Sequence, residues 1–129
     1  MAHPNADRLR EAFDAQTRED WPAVQAAFTD DVVFHVAGGN QFSGTYRGKD
    51  DVFDLFKRRN ESTGSTVELE IHSIIADDEH AIALITMRAE REGKSAEWRT
   101  AGIYHMRDGS IAEAWGFNED QQAVDEFWS

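Results

Sequence analysis

Residues 65–118, STVELEIHSIIADDEHAIALITMRAEREGKSAEWRTAGIYHMRDGSIAEAWGFN, read as four consecutive strands. Val67, Leu69 and Ile71 alternate with Glu68, Glu70 and His72, the period of two that marks a half-buried strand. Asp77-Asp78 turns the chain, and His80 to about Arg91 is the second strand. Glu92-Gly93-Lys94 makes a hairpin turn, and Glu97 to Met106 is the third strand. Asp108-Gly109 is the strongest hairpin signal in the chain, and Ile111 to Phe117 follows as the fourth strand.

Upstream the period changes to that of helices. From Asp7 to about Gln16, Leu9, Ala12 and Phe13 share one face. Asp20 is a good N-cap for a second helix, with Pro22 in the first turn, where its missing N–H is harmless. Trp21, Val24, Ala27 and Phe28 form its apolar side. Asp30-Asp31 ends it, and Val32 to Val36 is a short β-branched strand. Gly38, Gly39, Gly44 and Gly48 make residues 37–48 an irregular loop. Asp50 to about Asn60 is a third helix burying Val52, Phe53, Leu55 and Phe56, and Ser62 to Ser65 is linker. Asp120 caps a last helix on which Val124, Phe127 and Trp128 share a face. The expected architecture is α+β, helices packed on a curved, mostly antiparallel sheet, in a single domain spanning 1–129.

Composition excludes several function classes. With 25 acidic and 13 basic residues the formal net charge is −12, and no basic cluster offers a surface for nucleic acid or an anionic membrane. The chain has no cysteine, which removes disulfides, thiolate chemistry and Cys-ligated metal. It has no apolar run of membrane-spanning length, and Met1 to Arg10 lacks a signal-peptide core, so a cytoplasmic protein is expected. Asp77, Asp78, Glu79 and His80 superficially suggest a metal site, but successive turn residues point apart, and no metal is expected. No phosphate-cradling glycine loop or dinucleotide fingerprint is present, and no cofactor is expected.

Three segments in order, Phe28-Thr-Asp-Asp-Val-Val-Phe-His-Val36, Gly44-Thr-Tyr-Arg-Gly48 and Asp108-Gly-Ser-Ile-Ala-Glu-Ala-Trp115, carry a resemblance. The chain resembles the SnoaL-like, ketosteroid-isomerase-related branch of the nuclear transport factor 2 superfamily. That resemblance implies a cone-shaped fold with an apolar cavity, commonly a homodimer. It does not imply one activity, because the fold hosts isomerases, cyclases, epoxide hydrolases, dehydratases and binders. The isomerase base position falls on Val36, the tyrosine on Ala12 or Phe13, and the second acid on Gly102, so that set is absent. The epoxide hydrolases' Arg and Asp two apart would fall on Arg99 and Ala101, which also fails. SnoaL-type cyclases use a carboxylate late in the sheet, which Glu119 or Asp120 approximates; Asp120 is more simply a helix cap.

The resemblance puts the Ile85 and Met87 face of the second strand inside. Alternation then brings Trp98, Thr100, Gly102 and Tyr104, and Ala114, Gly116 and Asn118, to the same side. Phe34, Val36 and Phe56 join them. The expected ligand-binding set is therefore Phe34, Val36, Phe56, Ile85, Met87, Trp98, Thr100, Tyr104 and Asn118, with Thr100, Tyr104, Asn118 and the Trp98 indole as polar handles. Such a pocket suits a flat or bulky hydrophobic molecule with one or two oxygens. The opposite face carries Ile82, Leu84, Ile103, His105, Trp115 and Phe117, an apolar surface expected to pair two copies of the chain. The competing account covers it with Phe127 and Trp128 of the C-terminal segment.

His35 is a candidate base, although alternation puts it on the outer face. Two function classes follow. One is a cofactor-independent isomerase, cyclase or hydratase acting on a hydrophobic carbonyl compound, with His35, Glu119 or Asp120 as acid or base. The other is a non-catalytic binder or carrier using the same cavity, with a dimeric assembly module of filled core as a third account.

Overall fold

A computed structural model describes residues 3–129. Its elements run α1 (Pro4–Thr17), α2 (Trp21–Ala26), β1 (Phe28–Val36), β2 (Gly44–Arg47), α3 (Lys49–Ser62), β3 (Glu68–Ala76), β4 (His80–Arg91), β5 (Lys94–Arg107), β6 (Ser110–Asn118) and α4 (Gln121–Phe127). The strands form one curled sheet in the order β2-β1-β6-β5-β4-β3, antiparallel except where β1 runs parallel to β6. No helix among the described residues is long and apolar enough to cross a membrane.

The two hairpins fix the register. Glu92 and Gly93 have φ of 50° and 78°, and Asp108 and Gly109 have 51° and 82°, the left-handed pairs whose twist matches that of antiparallel strands. The first turn therefore has two residues rather than three, and Lys94 pairs with Arg91. From there β4 and β5 pair without a break to His80↔His105. At the other end of β4, the Asp77 carboxylate accepts from the N–H groups of Glu79 (2.8 Å) and His80 (2.7 Å), which holds that carboxyl below its ordinary range. The buried Asn5 amide donates to the Asp77 and Asp78 carbonyls, at 2.9 and 3.1 Å, and so anchors α1 on this turn.

Three boundaries differ from the sequence reading, each for a tertiary reason. The second helix stops at Ala26, and Phe28 starts β1 instead of completing a helical face. The Ala27 carbonyl accepts from Ile111 N–H at 2.8 Å, so the sheet captures the chain where helical periodicity would have carried it on. Residues 44–47 of the glycine-rich loop form a short edge strand, paired from Val36↔Gly44 to Val33↔Arg47. Finally, β3 slips register by one residue between Ile71 and Ser73, making His72 a bulge. Beyond it Ile74 packs inward and Ile75 is left 63% exposed.

The core lies between the concave side of the sheet and the helices, with Leu9, Val24, Val32, Val52, Leu55 and Ile111 fully enclosed. Asp50 and Asp51 in the first turn of α3 complement its helix dipole, which has no side-chain cap at Gly48. The C-terminal segment does not cover the outer face. Phe127 and Trp128 are buried against Trp98, and Trp128 also meets Phe42 edge-on, so they close the concave side. The outer face is left with Ile82, Leu84 and Phe117 exposed.

One arginine fastens this closure. Arg91, its side chain only 8% exposed, donates to Ser62 Oγ (2.8 Å) and to the carbonyls of Phe127 (3.0 Å) and Ser129 (2.8 Å). Arg91→Ala leaves those acceptors without their donor and should lower unfolding stability by about 2–3 kcal/mol in urea denaturation. Arg88→Ala, which breaks only exposed ion pairs with Glu70 and Glu97, should change it far less.

Candidate functional site

Packing the helices onto the curled sheet leaves a cavity of about 130 Å³. Phe34 and Val36 of β1, Phe56 of α3, Ile85 and Met87 of β4, Trp98, Thr100 and Tyr104 of β5, and Asn118 of β6 all line it. These nine side chains come together because β1, β4, β5 and β6 are in register across the site, with Met87 opposite Trp98, Thr100 opposite Asn118 and Phe34 opposite Ala114. Its volume is close to that of an engineered ~150 Å³ apolar cavity that accepts benzene.

The polar handles divide into two kinds. Thr100 Oγ1 donates to Asn118 Oδ1 (2.7 Å), and Asn118 Nδ2 donates to Gln121 Oε1 (2.8 Å). Gln121 Nε2 passes the chain on to Asp125 Oδ1 (2.9 Å), which also accepts from Asn40 Nδ2 (2.8 Å). These bonds, led by the one from Asn40, hold the Asp125 carboxyl below its ordinary range. Thr100 and Asn118 are thus bonded to protein as a strut between β5, β6 and α4.

Tyr104 is different. It is buried and meets Phe13 edge-on at 6.1 Å between centroids, and desolvation alone pushes its phenol up. It is a neutral hydrogen-bond donor at physiological pH. Its ring lies over Gly102, where a Cβ would come within 2.6 Å of the phenol oxygen and 2.8 Å of the ring. Gly102 is therefore the place the Tyr104 ring occupies.

The helical wall adds Gln16, Arg59 and Asn60, which the sequence reading did not place at the site. Arg59 follows Leu55 and Phe56 by four and three residues, the spacing of one helical face, so its position was legible. The guanidinium carbon lies 5.8 Å from the Phe42 ring and 5.8 Å from the Trp128 ring, while Nε is shut off from solvent with no hydrogen-bond partner. Burial lowers the Arg59 pKa to about 10, so the group stays charged at neutral pH.

Of the candidate acids and bases, His35 borders the cavity and Glu119 and Asp120 do not, and all three side chains are engaged with other groups. His35 Nε2 lies 2.7 Å from Glu113 Oε2 and Nδ1 3.3 Å from Thr45 Oγ1, with the imidazole stacked on Trp115 at 5.1 Å. Glu119 faces Arg99 at 3.7 Å in solvent. Asp120 is the N-cap of α4, accepting from Ala123 N–H at 3.1 Å. Among the described residues, no carboxylate side chain lines the cavity.

A curled sheet whose concave side is closed by helices around such a cavity defines the nuclear transport factor 2-like class of α+β proteins. Within it, the chain belongs to the SnoaL-like domain family, whose model matches residues 9–114. It is similar in structure to Bal32a from a soil-derived mobile gene cassette, with a TM-score of 0.95 and 25% identity over 99% of this chain and 98% of that one. An NTF2-like protein of Burkholderia pseudomallei superposes with a TM-score of 0.88 at 22% identity, covering 98% of each chain. In sequence it is 27% identical over 124 residues to Rv0034 of Mycobacterium tuberculosis, 95% of either chain.

The Gly102 contact gives a direct check on the site's geometry. Gly102→Ala forces the Tyr104 ring aside and should cost about 1–3 kcal/mol in thermal unfolding, the range for overpacking. Adding Tyr104→Phe, which removes the closest of the contacting atoms, should recover part of that loss.

Proposed function

We propose that this SnoaL-like protein binds a small, ring-sized, mainly apolar molecule in the cavity, with the Tyr104 hydroxyl donating to a carbonyl or hydroxyl oxygen of that molecule. The observation that carries the reading is Tyr104 itself, a buried neutral phenol whose only perturbation is desolvation, in the wall of an apolar cavity. A buried donor without an acceptor is costly, and a guest oxygen relieves that cost. Phe34, Val36, Phe56, Ile85, Met87 and Trp98 supply the apolar contact in this reading, and Thr100 and Asn118 hold the far wall. A filled-core assembly module fits less well with the open volume.

Trp98 and Trp128 border the cavity, so their fluorescence reports occupancy. Acetophenone should bind more tightly than ethylbenzene, and Tyr104→Phe should shrink that ratio about 5- to 10-fold, the worth of one hydrogen bond. A Cβ at Gly116 would meet only Thr100 Cγ2 at 3.9 Å, so Gly116→Leu should fill the space and abolish binding of both probes without unfolding the chain. Equal ratios in wild type and Tyr104→Phe would remove Tyr104 from the reading.

A catalytic version of the same site is a cofactor-independent isomerase, cyclase or hydratase acting on a carbonyl compound. Its support is that a neutral phenol is the kind of donor that steadies an oxyanion. It needs a proton acceptor as well, and His35 would have to leave Glu113 to serve as one. Glu119 and Asp120 are less suited, being held in an exposed ion pair and a helix cap.

We also propose that the outer face pairs two copies of the chain through Ile82, Leu84, Ile103, His105, Trp115 and Phe117. The support is an apolar surface with Ile82, Leu84 and Phe117 at 39%, 44% and 53% exposure, contiguous across β4, β5 and β6. Nucleic acid is an unsuitable partner for a chain of net charge −12. Trp115→Glu should sediment as a monomer where wild type sediments as a dimer; an unchanged dimer would put the interface elsewhere.

A further inference from the structure

Helix α3 half-buries a guanidinium that the fold does not pair. The neighbouring Arg58 pairs with Asp54 at 2.9 Å, and the enclosed Arg91 donates to three oxygens. Arg59 has no ion pair among the described residues, and its Nε–H is sealed from solvent without an acceptor. The Phe42 and Trp128 rings, each 5.8 Å away, offset part of its desolvation through their π faces but accept no hydrogen bond. Arg58, whose guanidinium carbon is 5.6 Å from the Phe42 ring, adds positive charge beside it. In a protein of net charge −12, the cavity wall thus carries one cationic side chain, Arg59, and no carboxylate among the described residues.

A half-buried guanidinium with a sealed, unpaired N–H is disfavoured, and Met or Leu would fill the same place without that penalty. A planar fork of N–H donors, by contrast, matches a carboxylate bidentately. We infer that Arg59 receives the acidic group of the cavity's guest, and that the guest is a small ring-bearing carboxylate rather than a neutral compound. This deepens the binding reading and rests on it. The surface charge of the chain repels anions from outside, so the preference must arise within the cavity, where the charge is desolvated.

Benzoate, its neutral isostere benzamide, and toluene separate the cases. Titrated against wild-type tryptophan fluorescence at pH 7, benzoate should bind at least about tenfold more tightly than benzamide, as a charge-assisted pair does over a neutral one. Arg59→Met should bring the ratio to about one, and Arg59→Lys, which keeps the charge and loses the fork, should fall between. In wild type the ratio should hold from pH 6 to 8.5 and decline as the pH rises through about 10, where Arg59 loses its proton. Toluene bound with benzoate no tighter than benzamide would overturn the inference and leave the cavity reading standing; Arg59 would then be a packing residue between Phe42 and Trp128. A benzoate preference that survives Arg59→Met would overturn it equally. Failure of all three probes would overturn the cavity reading and this inference with it. The wild-type ratio decides even where Arg59→Met fails to fold.

Discussion

The β4–β5 ladder is the constraint on which the rest depends. Twelve consecutive pairs run from His80↔His105 to Arg91↔Lys94 without an interruption. Because side chains alternate strictly along such a ladder, one register decision assigns every residue of both strands to a face. Ala83, Ile85, Met87 and Ala89 turn inward with Trp98, Thr100, Gly102 and Tyr104, and Ile82, Leu84 and Ile103 turn outward. The two-residue turn at Glu92-Gly93 sets that decision with backbone geometry alone. The cavity, the tyrosine across Gly102 and the bare outer surface all follow from it.

Where the sequence was legible, local and global preferences agreed. The β4, β5 and β6 assignments rested on alternation plus a turn dipeptide, two signals pointing the same way. Alternation grouped the residues of each face, but which group turned inward came from the resemblance; the Asp120 cap was legible locally. Where it was not legible, a distant partner overruled a local pattern. Phe28 fits a helical face until the Ala27 carbonyl meets Ile111, and Gly44 to Arg47 become a strand only because β1 lies beside them. Thr100 and Asn118 looked like free handles because alternation says which way a side chain points, not what it will meet. Arg59 was not singled out, although its spacing from Leu55 and Phe56 puts it on the side of α3 that faces the cavity.

The polar economy of the interior is uneven. On the far wall, Thr100, Asn118, Gln121, Asp125 and Asn40 satisfy one another in a continuous chain that ties β5, β6, α4 and the 37–43 loop together. Closed networks of this kind make a wall rigid. Tyr104 and Arg59 stand outside it, one a neutral phenol and one charged, with the Arg59 Nε–H left without an acceptor among the described residues. A wall that is satisfied on one side and unsatisfied on the other is polarised.

The bulge at His72 has a further consequence at the margin of the sheet. β3 is an outermost strand of nine residues, and an edge of that length would ordinarily offer a template for the strand of another chain. The bulge breaks the spacing of its free N–H and C=O groups midway, and Glu68 and Glu70 place negative charge along the first half. The opposite margin, β2, is only four residues long. Both rims of the sheet therefore discourage strand addition and fibrillar aggregation, leaving association to the faces of the molecule.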